Sequence, residues 1–137
     1  MYLENLIRGE ILRNEYKIFE IGMFKKEEEN SYLEIYDEFL DGIDGLTENS
    51  KILVFLWFDR SDNESKRSIL KVHPRGNIKN PIRGVFSTRS PMRPNPIALY
   101  TVNIEKILGN KIYIEEIDAF SETPLIDIKN YSKELDF

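Results

Sequence analysis

Short apolar segments separated by turn-forming residues constrain the fold of this chain more than any other feature of its sequence. The clearest pair is Ile97–Leu108 and Lys111–Asp118, joined by Gly109 and Asn110. A two-residue connection of this composition between alternating segments is typical of a β-hairpin. The same pattern predicts further strands or extended segments over Tyr16–Met23, Tyr32–Tyr36, Ser68–Val72, Gly84–Thr88 and Leu125–Ile128.

The continuous apolar run Lys51–Phe58 predicts a central strand buried on both faces. Three other segments are predicted to be turns or loops, namely Lys25–Asn30, Asp37–Leu46 and His73–Pro81. Apolar spacing near the N-terminus predicts a short helix within residues 1–15. Seven or eight short strands indicate a mainly all-β fold, which we expect to be a small closed or partly open antiparallel or mixed β-barrel of about seven strands with short helices.

The composition fits one domain that spans residues 1–137. A hydrophobic content of 41% supplies one core, and an aromatic content of 12% argues against disorder. The absence of cysteine excludes disulfides and thiolate chemistry and fits the reducing cytoplasm, which is our predicted location. Residues 1–20 are charged throughout, so we expect no signal peptide; the longest apolar run, Ile52–Phe58, is too short to span a bilayer.

The segment Gly84–Ile97 is unusually stiff and carries two arginines. Pro91, Pro94 and Pro96 are three of the six prolines in the chain, and each restricts its own backbone and that of its predecessor. Arg89 and Arg93 lie on this braced segment. An arginine on a rigid support loses less conformational freedom on binding, so the segment is predicted to be pre-organised for a ligand. The alternative is an ordinary surface turn with scattered charges.

The charge distribution is uneven, although the net charge is −5. Between Ser65 and Pro96 there are eight Lys or Arg residues and no Asp or Glu. Such a local patch attracts an anionic ligand without making the whole surface basic. A solvated basic face without a function remains the alternative.

Several common chemistries are absent from the sequence. The single histidine, His73, and the lack of cysteine predict no metal site, because carboxylates would have to supply nearly every ligand. Neither a P-loop nor a Gly-x-Gly-x-x-Gly motif occurs, so no Walker or Rossmann site is indicated.

A second suggestive stretch runs from Asp118 to Tyr131. On a strand, Asp127 and Lys129 project to one face, with Ile126 and Ile128 on the other. An adjacent acid and base form either a surface salt bridge of little energetic value or a polar pair that lines a site. Both readings remain open at the level of sequence.

The two stretches Phe86–Ile97 and Thr123–Lys129 together resemble the TrmO (YaeB-like) family. The resemblance extends to Gly42–Leu46, Ile52–Phe58 and Leu70–Asn77 and covers the chain from about Tyr16 to Tyr131 with gaps. It implies an S-adenosylmethionine-dependent methyltransferase on a small β-barrel, which agrees with the missing glycine motif. The family's characterised activity is N6-methylation of a threonylcarbamoylated adenosine beside the tRNA anticodon. Its members are homodimers with the cofactor near the subunit interface.

The resemblance also implies roles for particular residues. The positions matched to the cofactor site are Arg89, Leu99, Asp59, Arg60, Ser121, Glu122, Thr123 and Pro124. A carboxylate near the sulfonium or the acceptor N–H would help catalysis; Asp127 is the first candidate and Asp118 the second, with Lys129 as the partner of Asp127. The predicted RNA contacts are Arg75, Arg83 and Arg93 on the phosphates and Tyr131, or alternatively Tyr100, on a base.

The chain departs from the family pattern at several positions, including Asp59 in place of a histidine and Asn130 in place of a proline, and it lacks the Pro-Arg-Gln segment expected after the first strand. Ala98 and Tyr100 replace a glycine and a serine or threonine, and Ser121 and Glu122 replace an Asp-Gly pair. Three functions are therefore weighed: an RNA-directed methyltransferase, a small-molecule methyltransferase of the same fold, and a non-catalytic module that binds cofactor or RNA.

Overall fold

The chain folds into a closed β-barrel, in whose strands buried side chains alternate with exposed ones. The computed structural model describes residues 13–136. The strands are β1 (Gly22–Glu27), β2 (Asn30–Ile35), β3 (Lys51–Trp57), β4 (Lys71–Val72), β5 (Arg83–Gly84), β6 (Ile97–Leu108), β7 (Lys111–Ile114) and β8 (Thr123–Asn130). One α-helical turn, α1, spans Glu64–Arg67, and 3₁₀ helices span Asp37–Ile43, Asp59–Ser61, Pro74–Gly76 and Val85–Ser87.

Six strands form the closed barrel in the order β1-β2-β7-β6-β3-β8, and β8 pairs back to β1. Every pairing in it is antiparallel. Closure leaves no unpaired barrel edge, which is the usual way for a small β fold to avoid edge-to-edge association. The predicted all-β barrel is therefore confirmed. The inward side chains form one apolar core, whose fully buried members include Phe24, Leu33, Ile52, Val54, Leu56, Ile112 and Leu125.

The β6–β7 hairpin forms as predicted, with Leu108 paired to Lys111 across Gly109 and Asn110, but β7 ends at Ile114 rather than at Asp118. The predicted turn over Lys25–Asn30 is wrong for most of its length, because β1 runs to Glu27 and only two residues separate it from β2. Lys25 pairs with Glu34 at 3.5 Å on the outer face of this ribbon, and the amino group of Lys26 lies 5.9 Å from the centre of the Phe24 ring at the end of β1. Charged residues at the end of a barrel strand thus have the same composition as an exposed turn.

Strand β3 is buried on one face rather than on both. Ile52, Val54 and Leu56 are fully buried in the barrel, whereas Leu53, Phe55 and Trp57 alternate with them and are only partly covered. A barrel wall has one inner face, and the outer face of β3 is shielded only in part. The run reads as continuous because apolar residues also occupy this outer face.

Other elements begin or end at residues different from those predicted. The strand predicted over Tyr16–Met23 begins only at Gly22, and residues 13–20 are exposed and contain no helix or strand. The predicted helix within 1–15 falls almost wholly outside the described residues. Of Ser68–Val72 only Lys71 and Val72 belong to a strand, β4. Of Gly84–Thr88 only Gly84 belongs to a strand, because the 3₁₀ helix Val85–Ser87 follows it. The region Asp37–Leu46 contains a 3₁₀ helix, and β8 is longer than predicted at both ends.

One glycine is required by a close backbone approach at the seam between β1 and β2. Gly22 pairs with Ile35, and a Cβ atom at Gly22 would overlap the backbone carbonyl oxygen of Glu34. Only glycine fits a position where a neighbouring strand comes this near.

The long connection between β3 and β6, residues 58–96, leaves the barrel and returns to it. It contains α1, the two-stranded β4–β5 sheet and the stiff segment Gly84–Ile97, hereafter the proline segment. Because β3 ends where β6 begins, with Trp57 paired to Ile97, both ends of this connection meet at one end of the barrel.

Candidate functional site

A cleft of about 700 Å³ lies at the end of the barrel where β3 ends and where β6 and β8 begin. Its volume is in the range of small-molecule and cofactor sites. Four chain segments line it, comprising residues 58–61 after β3, the proline segment, the start of β6 and the loop before β8. The lining residues are Phe58, Asp59, Arg60, Ser61, Phe86, Thr88, Arg89, Pro91, Arg93, Ile97, Ala98, Leu99, Tyr100, Asp118, Ala119, Phe120 and Thr123.

The proline segment is held by a chain of local hydrogen bonds. The Thr88 hydroxyl donates to the Val85 carbonyl at 2.8 Å and accepts from the Ser90 amide at 3.1 Å. The Ser90 hydroxyl oxygen in turn accepts from the Met92 amide at 3.2 Å. Arg93 donates to the carbonyls of Thr88 and Ser90 at 3.2 and 3.0 Å. The side chains of the motif therefore satisfy backbone groups that the prolines and the irregular path leave without strand partners.

Arg89 is aimed along the cleft by a single contact. Its Nη1 donates to the carbonyl of Leu99 at 3.1 Å, and the side chain is otherwise exposed. Leu99 belongs to β6, so a barrel strand sets the direction of the guanidinium. A guanidinium presented in this way suits a carboxylate or phosphate oxygen.

Aromatic rings form the rim of the cleft. Phe86 and Phe120 are 77% and 61% exposed, which is unusual for phenylalanine in a folded domain. The guanidinium of Arg60 lies 4.1 Å from the centre of the Phe120 ring, within the range of a cation–π interaction. Exposed rings beside a guanidinium offer stacking surfaces for a planar heterocycle.

Tyr100 and Asp118 form the polar end of the cleft. The Tyr100 hydroxyl donates to Oδ1 of Asp118 at 2.7 Å. Burial of the phenol, and then the hydrogen bond and the negative charge of Asp118, raise the pKa of Tyr100 well above its usual value. The phenol therefore keeps its proton at neutral pH and holds the carboxylate in one orientation.

The cleft brings together some of the residues predicted from sequence. Asp59, Arg60, Arg89, Arg93, Leu99, Asp118 and Thr123 all line it. The neighbours of Thr123 have structural contacts instead. The Ser121 hydroxyl accepts from the Lys26 amide at 2.9 Å, the Glu122 amide donates to the Phe24 carbonyl at 2.7 Å, and Pro124 lies in the β8 ladder opposite Met23.

Asp127 and Lys129 do not lie at the cleft. Their side chains pair with each other at 3.5 Å and are largely exposed, as in a surface salt bridge. Asp127 borders a second cavity of about 520 Å³, which is lined mainly by the 3₁₀ helix Asp37–Ile43 and the second half of β8. Of the two readings that the sequence left open for this pair, the geometry favours the salt bridge.

The predicted RNA contacts do not lie together. Arg75 and Arg83 are exposed beside the β4–β5 sheet, outside the cleft. Tyr131 is partly buried, and the amino group of Lys51 lies 5.1 Å from its ring centre. Arg93 is committed to the two carbonyls that it braces.

Sequence reasoning missed most of the apolar lining. Phe58, Phe86, Ile97 and Phe120 come one from each of the four lining segments, and no spacing along the chain relates them. The one usable signal for Phe86 was its position in the stiff segment.

Among residues 13–136 there is no group of three or more His, Cys, Asp or Glu side chains that could hold a metal ion. No helix in that same range is long and apolar enough to cross a membrane. His73 donates from Nδ1 to the Asn80 carbonyl at 2.8 Å and closes the loop before β5.

A closed antiparallel barrel with an end cleft, braced by a proline-rich arginine segment, defines a class of ligand-binding domain distinct from glycine-loop nucleotide folds. Residues 22–137 match the family model described as the tRNA-methyltransferase O N-terminal domain. The chain is 56% identical over 121 residues, 88% of this chain and 96% of the relative, to a probable S-adenosyl-L-methionine-binding protein of Methanocaldococcus jannaschii. The chain therefore belongs to the TrmO family, as the motifs predicted.

Two further comparisons concern the fold and the share of each relative that this chain covers. A human tRNA (adenine(37)-N6)-methyltransferase is 39% identical over 92 residues, which is 67% of this chain and 20% of the human protein. The crystal structure of TrmO from Pseudomonas aeruginosa superposes with a TM-score of 0.67 at 21% identity, covering 90% of this chain and 58% of that one. The chain thus spans less than two thirds of the solved TrmO chain, and that likeness speaks for the fold alone.

Proposed function

We propose that this chain is an S-adenosylmethionine-dependent methyltransferase that acts on N6 of a threonylcarbamoyl-modified adenosine in the tRNA anticodon loop. The observation that carries the proposal is the cleft, in which the guanidinium of Arg89 and the carboxylate of Asp118 line one cavity with exposed aromatic rings. Family membership and the tRNA methyltransferase named among the relatives support the choice of reaction.

The charged and aromatic side chains of the cleft fit the chemical groups of the cofactor. S-adenosylmethionine carries a carboxylate, an ammonium group, a sulfonium and an adenine ring. Arg89 suits the carboxylate, Asp59 suits the ammonium group, and Phe86 and Phe120 suit the adenine. Arg60 would contribute charge and a flat face beside Phe120. The volume of about 700 Å³ leaves room for part of an acceptor as well.

The protein has little covalent chemistry to perform, since the bound cofactor would supply an activated methyl group. Its residues must orient the acceptor nitrogen and exclude water. Asp118 is the proposed catalytic carboxylate: Tyr100 occupies Oδ1 at 2.7 Å, which leaves Oδ2 to accept a hydrogen bond from the acceptor N–H. Asp127 and Lys129 lie outside the cleft, so the proposal gives them no catalytic role.

RNA binding is assigned to the basic patch on the connection between β3 and β6. Arg75 and Arg83 are exposed there and are proposed to contact phosphates. Arg93 is proposed to shape the cleft instead, because its guanidinium is engaged with backbone carbonyls. Tyr131 is removed from the stacking role, since it is partly buried beside Lys51.

A homodimer in the cytoplasm completes the proposal. The connection that carries the basic patch also exposes Leu70, Ile78, Ile82 and Phe86 by 59%, 82%, 56% and 77%. Apolar side chains exposed on one connection favour contact with a second protein surface. Light scattering at micromolar concentration should give twice the monomer mass of 16.2 kDa; a monomer would count against this part.

The deciding experiment mixes the pure protein with cofactor labelled in its methyl group and with tRNA that carries or lacks the threonylcarbamoyl group. Label is expected in the modified tRNA only. Label in both tRNAs would refute the requirement for the modification. Cofactor binding without transfer to either tRNA would favour a small-molecule methyltransferase or a non-catalytic module.

A further inference from the structure

Arg67 joins three separate parts of the chain at the base of the proline segment. Its Nε donates to the Pro94 carbonyl at 2.7 Å, and Nη2 donates to the Asn95 side-chain oxygen at 3.1 Å. Its Nη1 meets Oδ1 of Asp62 at 2.9 Å. The guanidinium also lies 5.6 Å from the centre of the Trp57 ring at the end of β3. Three nitrogens of the guanidinium thus donate hydrogen bonds, and the guanidinium also contacts an aromatic ring.

Local structure fixes where this side chain starts. Arg67 ends α1, whose first turn is capped by Asn63, since the Asn63 side-chain oxygen accepts from the Lys66 amide at 2.9 Å. Asp62 is oriented in turn by Trp57, whose indole N–H donates to Oδ2 at 3.1 Å. Asp62 therefore joins the barrel strand to the guanidinium through its two oxygens.

Two attachments hold the last residues of the proline segment, one to the residue after β3 and one to α1. One is backbone: the Phe58 amide donates to the Pro96 carbonyl at 2.8 Å. The other is Arg67, which holds the two preceding residues. Proline cannot donate to a strand ladder, so a side chain has to supply the anchor that backbone pairing supplies elsewhere.

We propose that Arg67 is a positioning residue that holds the proline segment in the conformation that forms the cleft, and that it is not an RNA contact of the basic patch. Its role in ligand binding rests on the proposed function, because Arg89 and Thr88, which line the cleft, lie on the segment that Arg67 anchors. Lysine cannot replace it, since one ammonium group cannot reach Pro94, Asn95 and Asp62 in a planar array or stack on Trp57 in the same way.

The test compares Arg67→Lys, which keeps the charge, with Arg67→Met, which keeps much of the stem. Lys79→Met is the matched control, because Lys79 is an exposed cation of the same patch outside the cleft. The first readout is amide hydrogen exchange at Ser90, Met92 and Phe58, whose amides donate to Thr88, Ser90 and Pro96. The second is emission from Trp57, the only tryptophan of the chain. The third is the affinity for S-adenosylmethionine by calorimetry.

Both Arg67 variants should exchange these amides at least tenfold faster and change the Trp57 emission, while the control matches the parent protein. Affinity for the cofactor should fall about tenfold in both variants, as expected for loss of charge-assisted hydrogen bonds. Circular dichroism of both variants should keep the barrel signal, because Arg67 does not belong to the apolar core of the barrel. Arg67→Lys behaving like the parent protein would overturn the proposal.

Exchange and emission do not depend on any ligand. Unchanged exchange in both variants would show that Arg67 does not hold the segment, whatever the cofactor result. Faster exchange with unchanged cofactor affinity would refute its influence on the cleft. A parent protein that binds no cofactor would refute the proposed function, and the exchange rates alone would then decide whether Arg67 anchors the segment.

Discussion

Replacing Arg89 by alanine should weaken binding of S-adenosylmethionine without unfolding the protein. Arg89 is the guanidinium that the Leu99 carbonyl directs along the cleft, at 3.1 Å. Its side chain is exposed and outside the barrel core. The substitution therefore removes a donor group for the ligand and leaves the fold intact.

The size of the effect follows from this exposure. A hydrogen bond to a charged group contributes about 1.5–3 kcal/mol when its partner is desolvated. Arg89 keeps contact with water in the free protein, which places the loss near the lower value, and about 1.5 kcal/mol corresponds to roughly a tenfold increase in Kd. Arg89→Lys should recover part of the affinity, because it keeps the charge but not the bidentate geometry.

Calorimetric titration of the parent protein and the two variants measures the change directly. Lys79→Ala is the control for net charge, since Lys79 is exposed and does not line the cleft. Thermal unfolding should give the same midpoint for all four proteins within a few degrees. Equal affinity of Arg89→Ala and the parent protein would refute the placement of Arg89 in the cofactor site.

Three further outcomes are expected. Replacing Arg75 and Arg83 together by alanine should lower tRNA affinity and flatten its dependence on salt by about one to two units in filter binding, because fewer counterions are released; an unchanged slope would make the patch a solvated face. Leu125→Ala should lower the free energy of unfolding by about 2–5 kcal/mol in urea denaturation, since Leu125 is fully buried in the barrel. Stability should fall as the pH rises above 10, because burial and the 2.7 Å hydrogen bond to Glu27 raise the pKa of Tyr32 above the usual value of 10.0 for tyrosine. Only the unfolded chain then loses this proton in that range. Tyr32→Phe should show a shallower fall in denaturation midpoint over that range, and an equal slope would contradict the assignment.

Some of the residues chosen from the resemblance line the cleft, and others contact the barrel backbone. Arg89, Leu99, Asp59 and Arg60 match positions in rigid or turn segments that the barrel brings to one end, and all of them line the cleft. Ser121 and Glu122 lie in the same matched stretch as Thr123 but make backbone contacts to β1 instead. A motif identifies a segment, whereas the direction of each side chain depends on the strand or turn that the segment forms.

Asp127 illustrates what spacing alone leaves undecided. Its alternation with Lys129 correctly placed both on one face of a strand, but that face is the outer surface of β8. Strand periodicity is the same for a face that lines a site and for a face that meets water. Only the pairing of β8 with β3 and β1 determines which end of the strand borders the cleft.

The sequence by itself determined the β class, the Gly109–Asn110 hairpin, the stiffness of the proline segment and the family, because periodicity, turn chemistry and a long motif are local properties. The tertiary structure alone decided that six strands close into a barrel, that Phe58, Phe86 and Phe120 meet at one cleft, and that Arg67 anchors Pro94 across 27 positions of sequence. These contacts join residues far apart along the chain. They depend on how the strands pair in space, which no local pattern encodes.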